Sequence, residues 1–268
     1  ETRPEFEAIV DVSKDLGLRV YLGPSYRSAV NLVKPDGTLT QHWDDEKGLE
    51  GLREAAAFIE ELNSQNHDLI KGLLVPSTIE TCSTELLIQT KQYADKFQVP
   101  IRLHAAQSSR EFNLIKQRSG LTPIQYLDSI GFLGPRTIIP HAMHVNGYSQ
   151  EDYGEGPDLE VLRDTGTIVV HCPFVLARGG KALESFDKYK AMGIRIVMGT
   201  DCYPSDMLMN LLLGTIMGRA AERTGNAGNT GDFYRAATIW AADSINRPDL
   251  GRLAPESKAD FFIMDLNG

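Results

Sequence analysis

Short apolar segments alternate with amphipathic stretches along this chain of 268 residues, and that alternation limits its possible folds more than any other feature. Such a pattern is typical of βα units that build a parallel sheet. The sequence therefore predicts an α/β fold. The six predicted strands span residues 18–22, 70–75, 99–103, 137–139, 167–170 and 194–198.

The stretches between these strands are predicted to be helical. In one of them, Leu49, Leu52, Ala56 and Ile59 recur at a spacing near 3.6, as on the apolar face of a helix. A polar loop is expected over residues 31–43. The predicted helices span residues 4–16, 47–63, 83–97, 110–118, 122–130, 158–164, 181–192, 205–222 and 232–243.

Four consecutive predicted strands are each followed by a histidine or an aspartate, namely His104, His141, His171 and Asp201. The active sites of parallel α/β barrels form at the carboxyl ends of the strands, so we expect these residues to share a site. Imidazole and carboxylate groups are ligands of zinc and iron. A carboxylate such as Asp201 can also accept a proton from water that a metal has acidified to a pKa of roughly 7.

Several nearby polar residues have structural explanations. Glu111 follows Ser108 at the spacing of a capping box, which favours a helix-capping role over an acid role. His144 is expected at the surface or outside direct contact with the reaction. Asp206 is better placed than Asp201 to cap the following helix. Cys172 is expected to be a packing residue.

Charge, cysteine content and hydrophobicity limit the partners and the location that the sequence predicts. The net charge of −9 argues against nucleic acid and anionic membranes, because both attract basic surfaces. Three scattered cysteines do not make a disulfide framework, which favours a reducing cytoplasm. The apolar run at residues 207–217 is too short to span a bilayer. A small molecule is the expected partner.

The motifs resemble the amidohydrolase superfamily, in the cytosine deaminase-like branch that includes triazine hydrolases, guanine deaminases and adenosyl-homocysteine deaminases. The resemblance covers essentially the whole chain. It implies a TIM-type (β/α)8 barrel over residues 1–247 and a return strand to a small β-sandwich domain over residues 248–268. Six strands are too few for this barrel, so they are expected to be strands three to eight, without the two that open it. The motifs, in chain order, are His104, Pro140-His141, His171-Cys172-Pro173 and Gly199-Thr200-Asp201.

The resemblance also implies roles for these residues. His104 and Asp201 would bind one divalent ion, zinc or iron, and His141 is a further candidate ligand. Asp201 would take a proton from the attacking water, while His141 would orient that water or polarise the substrate. His171 would face the substrate. The metal-activated water would attack an sp² carbon of a cyclic, nitrogen-rich molecule and displace ammonia, an amine or another leaving group. Related enzymes commonly form homo-oligomers.

Two departures from the family pattern limit this interpretation. The His-x-His metal motif of the first strand is absent, so this chain alone would supply only part of a metal site. Gln107 occupies the position where deaminases of the branch place a glutamate, and an amide cannot release a proton at neutral pH. Triazine hydrolases resemble this chain in having glutamine there, which favours hydrolysis of a good leaving group. The alternatives are an aromatic deaminase without the usual glutamate, and a non-catalytic barrel.

Overall fold

The computed structural model describes residues 3–265. The chain divides into two compact units, with the boundary after Thr167. Each unit combines helices with parallel strands, which confirms the α/β class. No helix in the described part of the chain is long and apolar enough to cross a membrane.

Six of the strands described in the first unit pair in parallel. Residues 20–22 pair with residues 70–72, residues 25–26 pair with residues 75–76, and residues 101–102 pair with residues 137–138, each in parallel. Single bridges between Leu74 and Ile101, between Thr78 and His104, and between Ala105 and His141 continue this pairing. The strands are β1 (Val20–Leu22), β2 (Ser25–Tyr26), β3 (Ala29–Val33), β4 (Leu39–Trp43), β5 (Ile70–Gly72), β6 (Val75–Pro76), β7 (Ile101–Arg102) and β8 (Thr137–Pro140).

Several helices of the first unit begin at capping residues that the sequence makes recognisable. Ser83, Ser108 and Thr122 each accept a hydrogen bond from the backbone N–H three residues later. Side chains such as Leu52 and Leu86 are fully buried, so the helices pack over the strands as predicted. The helices are α1 (Arg3–Asp15), α2 (Asp45–Ser64), α3 (Thr84–Phe97), α4 (Ser109–Ser119), α5 (Pro123–Ser129) and α6 (Asp158–Thr165).

The polar loop predicted over residues 31–43 is wrong, because these residues belong to an antiparallel hairpin. β3 pairs with β4 from Ala29 opposite Trp43 to Val33 opposite Leu39. The turn contains Asp36 and Gly37, and Gly37 has a positive φ of 82°. Asp-Gly is a strong hairpin signal. The hairpin was not predicted because it is mostly exposed, and its residues do not alternate between apolar and polar as in a half-buried strand.

The second unit contains two parallel strands and five helices among its described residues. Its strands pair from Ile168 opposite Arg195 to His171 opposite Met198. The helix predicted over residues 181–192 is shorter, and a further short helix precedes it. The helix predicted over residues 232–243 is broken at Thr238, whose φ and ψ are −127° and −94°. The elements are β9 (Ile168–His171), α7 (Pro173–Arg178), α8 (Phe186–Ala191), β10 (Arg195–Met198), α9 (Met207–Glu222), α10 (Thr230–Ala237) and α11 (Ile239–Ser244).

The strand expected in the tail does not form in its described part. Residues 259–265 have no regular secondary structure, and the side chains of Phe262 and Ile263 are 74% and 87% exposed. A strand needs a hydrogen-bonded neighbour, and no described strand pairs with this segment. Residues 266–268 lie outside the described residues. The β-sandwich assignment for residues 248–268 stays a prediction.

Candidate functional site

His104 lies directly beyond β7, where the chain continues the parallel pairing through its bridge to Thr78. Its Nδ1 atom is 3.3 Å from the backbone carbonyl oxygen of Ser77. This arrangement favours the tautomer with a proton on Nδ1, so that Nε2 has the lone pair. Histidines that bind metals are commonly oriented in this way by a backbone carbonyl. His104 therefore has the local geometry of a ligand.

His141 follows β8 and is brought beside His104. The centroids of the two imidazole rings are 5.6 Å apart, with the ring planes 32° from parallel. His141 is buried, and its φ of 71° and the φ of 42° at Ala142 are unusual for residues with a side chain. Strained backbone of this kind costs about 1–3 kcal/mol per residue and concentrates at functional sites. The first unit thus gathers two of the predicted site residues.

The loop that contains Gln107 is held by Glu111, which was predicted to cap a helix. The carboxyl of Glu111 accepts hydrogen bonds from the backbone N–H groups of Ala106, at 2.6 Å, and Gln107, at 3.0 Å. Ser108 caps α4 as predicted, because its hydroxyl accepts from the N–H of Glu111. The prediction that Glu111 completes a capping box is wrong, because its carboxyl accepts from the N–H groups of residues 106 and 107 instead. Burial raises the pKa of Glu111 to about 8, against the effect of these two hydrogen bonds.

His144 is fully buried, so the expectation of a surface position is wrong. Its Nδ1 atom is 2.6 Å from the hydroxyl oxygen of Tyr153, and burial raises the pKa of that phenol. The Tyr153 ring stacks on Phe112 with centroids 3.8 Å apart. The N–H groups of Met143 and His144 both donate to the carbonyl oxygen of Ala106. The loops after β7 and β8 are therefore bonded to each other.

A second buried carboxyl, Asp158, stabilises the chain beyond His144. It accepts hydrogen bonds from the Thr122 hydroxyl, the Gln125 amide and the backbone N–H of Asn146, at 2.6, 2.9 and 2.9 Å. Burial raises the pKa of Asp158, and these bonds oppose that effect. The sequence showed Asp158 only as the start of a helix. Its distant partners at residues 122 and 125 depend on tertiary structure.

In the second unit, His171 ends β9 with its ring in aromatic surroundings. Its ring centroid lies 6.1 Å from that of Phe186 and 6.2 Å from that of Phe233. Those two rings stack with centroids 4.3 Å apart. His171 itself is buried. The predicted contact between His171 and substrate stays a prediction.

Asp201 follows β10 with a positive φ of 58°. Its Oδ1 atom accepts a hydrogen bond of 2.6 Å from the N–H of Cys202. Asp206 caps α9 by accepting from the N–H of Met209, so helix capping does not explain Asp201, as predicted. Cys172 is buried, and its pKa is raised to about 12 by burial and, to a smaller extent, by the charge of Asp201. A thiol of that pKa suits the predicted packing role.

The donor groups fit zinc or iron, since both bind neutral imidazole and carboxylate. The first unit places His104 beside His141, and the second places Asp201 beside Cys172. Among residues 3–265, no three histidine, cysteine, aspartate or glutamate side chains are grouped so that they could hold a metal ion. The sequence did not reveal that Glu111 bonds the backbone at Gln107 or that Tyr153 lies beside His144.

The chain is similar to several characterised proteins. A 5′-deoxyadenosine deaminase from Methanothermobacter thermautotrophicus is 27% identical over 83% of this chain and 51% of its own length. A zinc-bound adenosine deaminase from Xanthomonas campestris shares 19% identity with a TM-score of 0.75, covering 93% of this chain and 53% of that one. A mutant of atrazine chlorohydrolase from Arthrobacter aurescens, complexed with zinc and atraton, shares 22% identity with a TM-score of 0.75. That match covers 95% of this chain and 54% of the chlorohydrolase.

This chain spans about half the length of these relatives. They are deaminases and a triazine-type hydrolase, the branch that the motifs resemble. A sequence model of the amidohydrolase family matches residues 2–267, which is nearly all of the chain. The chain belongs to the amidohydrolase family.

Proposed function

We propose that the full-length protein is a metal-dependent hydrolase of cyclic, nitrogen-rich small molecules. Water would attack an sp² carbon of the ring and displace an amine, ammonia or another leaving group. The observation that supports this most directly is the juxtaposition of His104 and His141, whose ring centroids are 5.6 Å apart beyond neighbouring parallel strands. Membership of the amidohydrolase family supports the same chemistry.

His104 and Asp201 are the proposed ligands of one divalent ion, with His141 as a further candidate. The carbonyl of Ser77, 3.3 Å from Nδ1 of His104, supports the orientation that a ligand needs. Zinc is the proposed ion, with iron as the alternative, because two structural neighbours contain zinc. When bound, such an ion supplies Lewis acidity that makes water a nucleophile near neutral pH.

The proposed roles of the other residues follow from their functional groups. The Asp201 carboxylate would accept a proton from the attacking water. His141 would hydrogen-bond that water or the substrate. The Gln107 amide would hydrogen-bond a ring nitrogen without transferring a proton to it. His171 would contact the substrate.

Deamination is the second candidate, and the names of the relatives favour it. Loss of ammonia is assisted when an acid protonates the ring, and Gln107 cannot serve as that acid. A chloride or alkoxide leaves more readily without a proton. We therefore favour hydrolysis of a good leaving group, and deamination requires an acid from another residue.

The assay compares amino, chloro and alkoxy derivatives of the same triazine and purine rings. The full-length protein is expected to contain about one equivalent of zinc or iron by elemental analysis, with its intact mass taken on the same sample. Turnover of the chloro or alkoxy derivatives would support the leading proposal, and selective turnover of the amino derivatives would support the deaminase. A full-length protein without metal or turnover would be the non-catalytic barrel.

His104→Ala tests the site assignment in the same protein. We expect at least a tenfold loss of metal occupancy and a loss of activity of about a thousandfold, because the variant would lose the Lewis acidity that activates water. His42→Ala is the matched control, since His42 is exposed on the β3–β4 hairpin and has no proposed role. Full activity in His104→Ala would contradict the assignment.

The finer architecture is also a proposal. The order of the motifs in the family supports equating the six strand segments with strands three to eight of a TIM-type (β/α)8 barrel over residues 1–247. Residues 248–268 would then return to a small β-sandwich domain. A small heterocycle is the proposed partner, in a cytoplasmic protein that forms homo-oligomers, and the net charge of −9 disfavours nucleic acid.

A further inference from the structure

The backbone at Ala106 and Gln107 depends on a carboxyl from the next helix. Glu111 has 1% of its surface exposed, and its two oxygens accept separately from the two consecutive N–H groups. Ala106 has a positive φ of 54°, which a residue with a side chain adopts only when its surroundings hold it there. The hydrogen bonds from Glu111 stabilise that conformation, and Gln107 is the next residue.

The same segment also fixes the loop after β8. The carbonyl oxygen of Ala106 accepts from the N–H groups of Met143 and His144, at 2.9 and 2.8 Å. The peptide groups on either side of Ala106 therefore make hydrogen bonds to two different parts of the unit. One set of bonds reaches Glu111, and the other reaches the loop that starts at His141.

We propose that Glu111 is a positioning residue that sets the direction of the Gln107 side chain toward the substrate. This inference rests on the proposed function, in which the Gln107 amide bonds a ring nitrogen. Glu111 does not touch the substrate itself. It acts through the backbone of residues 106 and 107, and a carboxylate suits this task because both of its oxygens accept hydrogen bonds.

Glu111→Gln is the decisive variant because it keeps the shape of the side chain. Its amide offers one acceptor oxygen, while its NH₂ group faces the second N–H group as another donor. The KM of the full-length enzyme for its heterocycle is expected to rise about tenfold at about pH 9, where the wild-type carboxyl is ionised. Glu111→Asp, which keeps two acceptor oxygens on a shorter side chain, is expected to have an intermediate KM and replaces the glutamine variant if that one does not fold.

Asp158→Asn is the matched control, because Asp158 is another fully buried carboxyl that accepts a backbone N–H in the same unit. It is expected to destabilise the protein while leaving KM within about twofold, since it is not bonded to residue 106 or 107. An equal rise of KM in both variants would show general loosening of the unit and overturn the proposal.

A double-mutant cycle separates positioning from a merely structural role. If Glu111 acts through Gln107, Glu111→Gln should change KM by less than about twofold in a Gln107→Ala background. Independent effects that multiply would overturn the proposal.

Hydrogen exchange of peptides covering residues 104–110 gives a readout that needs no substrate. Exchange at Ala106 and Gln107 is expected to quicken at least about tenfold in Glu111→Gln and to stay unchanged in Asp158→Asn. Absence of turnover in the wild-type protein would contradict the proposed function without testing the role of Glu111. The exchange result would then decide whether Glu111 positions this backbone, with unchanged exchange in Glu111→Gln counting against it.

Discussion

Gln107 in the first unit and His171 in the second have different surroundings. In the first unit, hydrogen bonds hold the segments around His104 and Gln107, from the carbonyl of Ser77 and the carboxyl of Glu111. In the second unit, His171 lies against the stacked rings of Phe186 and Phe233. Hydrogen bonds depend on direction, whereas packing depends on volume. An isosteric change at Glu111 should therefore perturb the backbone at Gln107, whereas a change of size at Phe233 should perturb the surroundings of His171.

The largest expected effect of a volume change is at Phe233, which is fully buried in the second unit. Phe233→Ala should lower the free energy of unfolding by about 3–5 kcal/mol, because it leaves a cavity beside Phe186 and His171. Urea denaturation of the full-length protein measures this loss. Tyr234→Ala is the neighbouring control, since Tyr234 is 62% exposed, and its effect should stay below about 0.5 kcal/mol. Equal losses of unfolding free energy in both variants would show that the packing of Phe233 around His171 does not contribute more to stability than an exposed side chain does.

The first unit should instead show a dependence on pH that comes from Glu111. Burial raises the pKa of Glu111 from 4.5 to about 8, so between these values the folded state holds a proton that the unfolded state has released. The stabilisation of the folded state by this proton is full below about pH 4.5 and is lost as the pH rises to about 8, so the free energy of unfolding should decrease by on the order of 5 kcal/mol.

Urea denaturation across this pH range, in the wild-type protein and in Glu111→Gln, measures the contribution. The glutamine variant should lack this component of the slope because its amide does not titrate. Parallel pH profiles for the two proteins would mean that Glu111 does not carry the shifted pKa.

A smaller effect tests close packing at a glycine before Asp201. A Cβ atom added at Gly199 would lie 2.6 Å from Cγ1 of Val170 and 3.1 Å from Sγ of Cys172. Gly199→Ala should therefore destabilise the protein by about 1–3 kcal/mol. Gly134→Ala in the first unit is the control, because no atom lies within 4 Å of its added Cβ. Thermal denaturation that showed no difference between the variants would refute tight packing at Gly199.

The sequence predicted the strands well and their surroundings less well. The predicted strand at residues 194–198 lies within one residue of β10, because residues 196–198 form an apolar run of the kind found in a buried parallel strand. The hairpin of β3 and β4 was missed, since its residues do not alternate between apolar and polar. The position of His104 directly after a strand and the helix cap at Asp206 are local properties, and both were predicted.

Two parts of the site depend on partners that local sequence does not reveal. The pattern Ser108-x-x-Glu111 is the same whether the glutamate completes a capping box or reaches back to Ala106. The burial of His144 depends on Tyr153, which lies in an irregular segment nine residues later. In both cases the backbone fold decides which donor meets which acceptor.

The carbonyl oxygen of Ala106 receives hydrogen bonds from both Met143 and His144, and this has a consequence for how the protein can be changed. An insertion or shift in either loop would break a bond in the other, so the two loops should tolerate variation only as a pair. Libraries that randomise residues 106–108 and 142–144 together should yield more folded variants with altered specificity than libraries that randomise each loop separately. A change of the proposed substrate specificity would then require paired substitutions in the two loops.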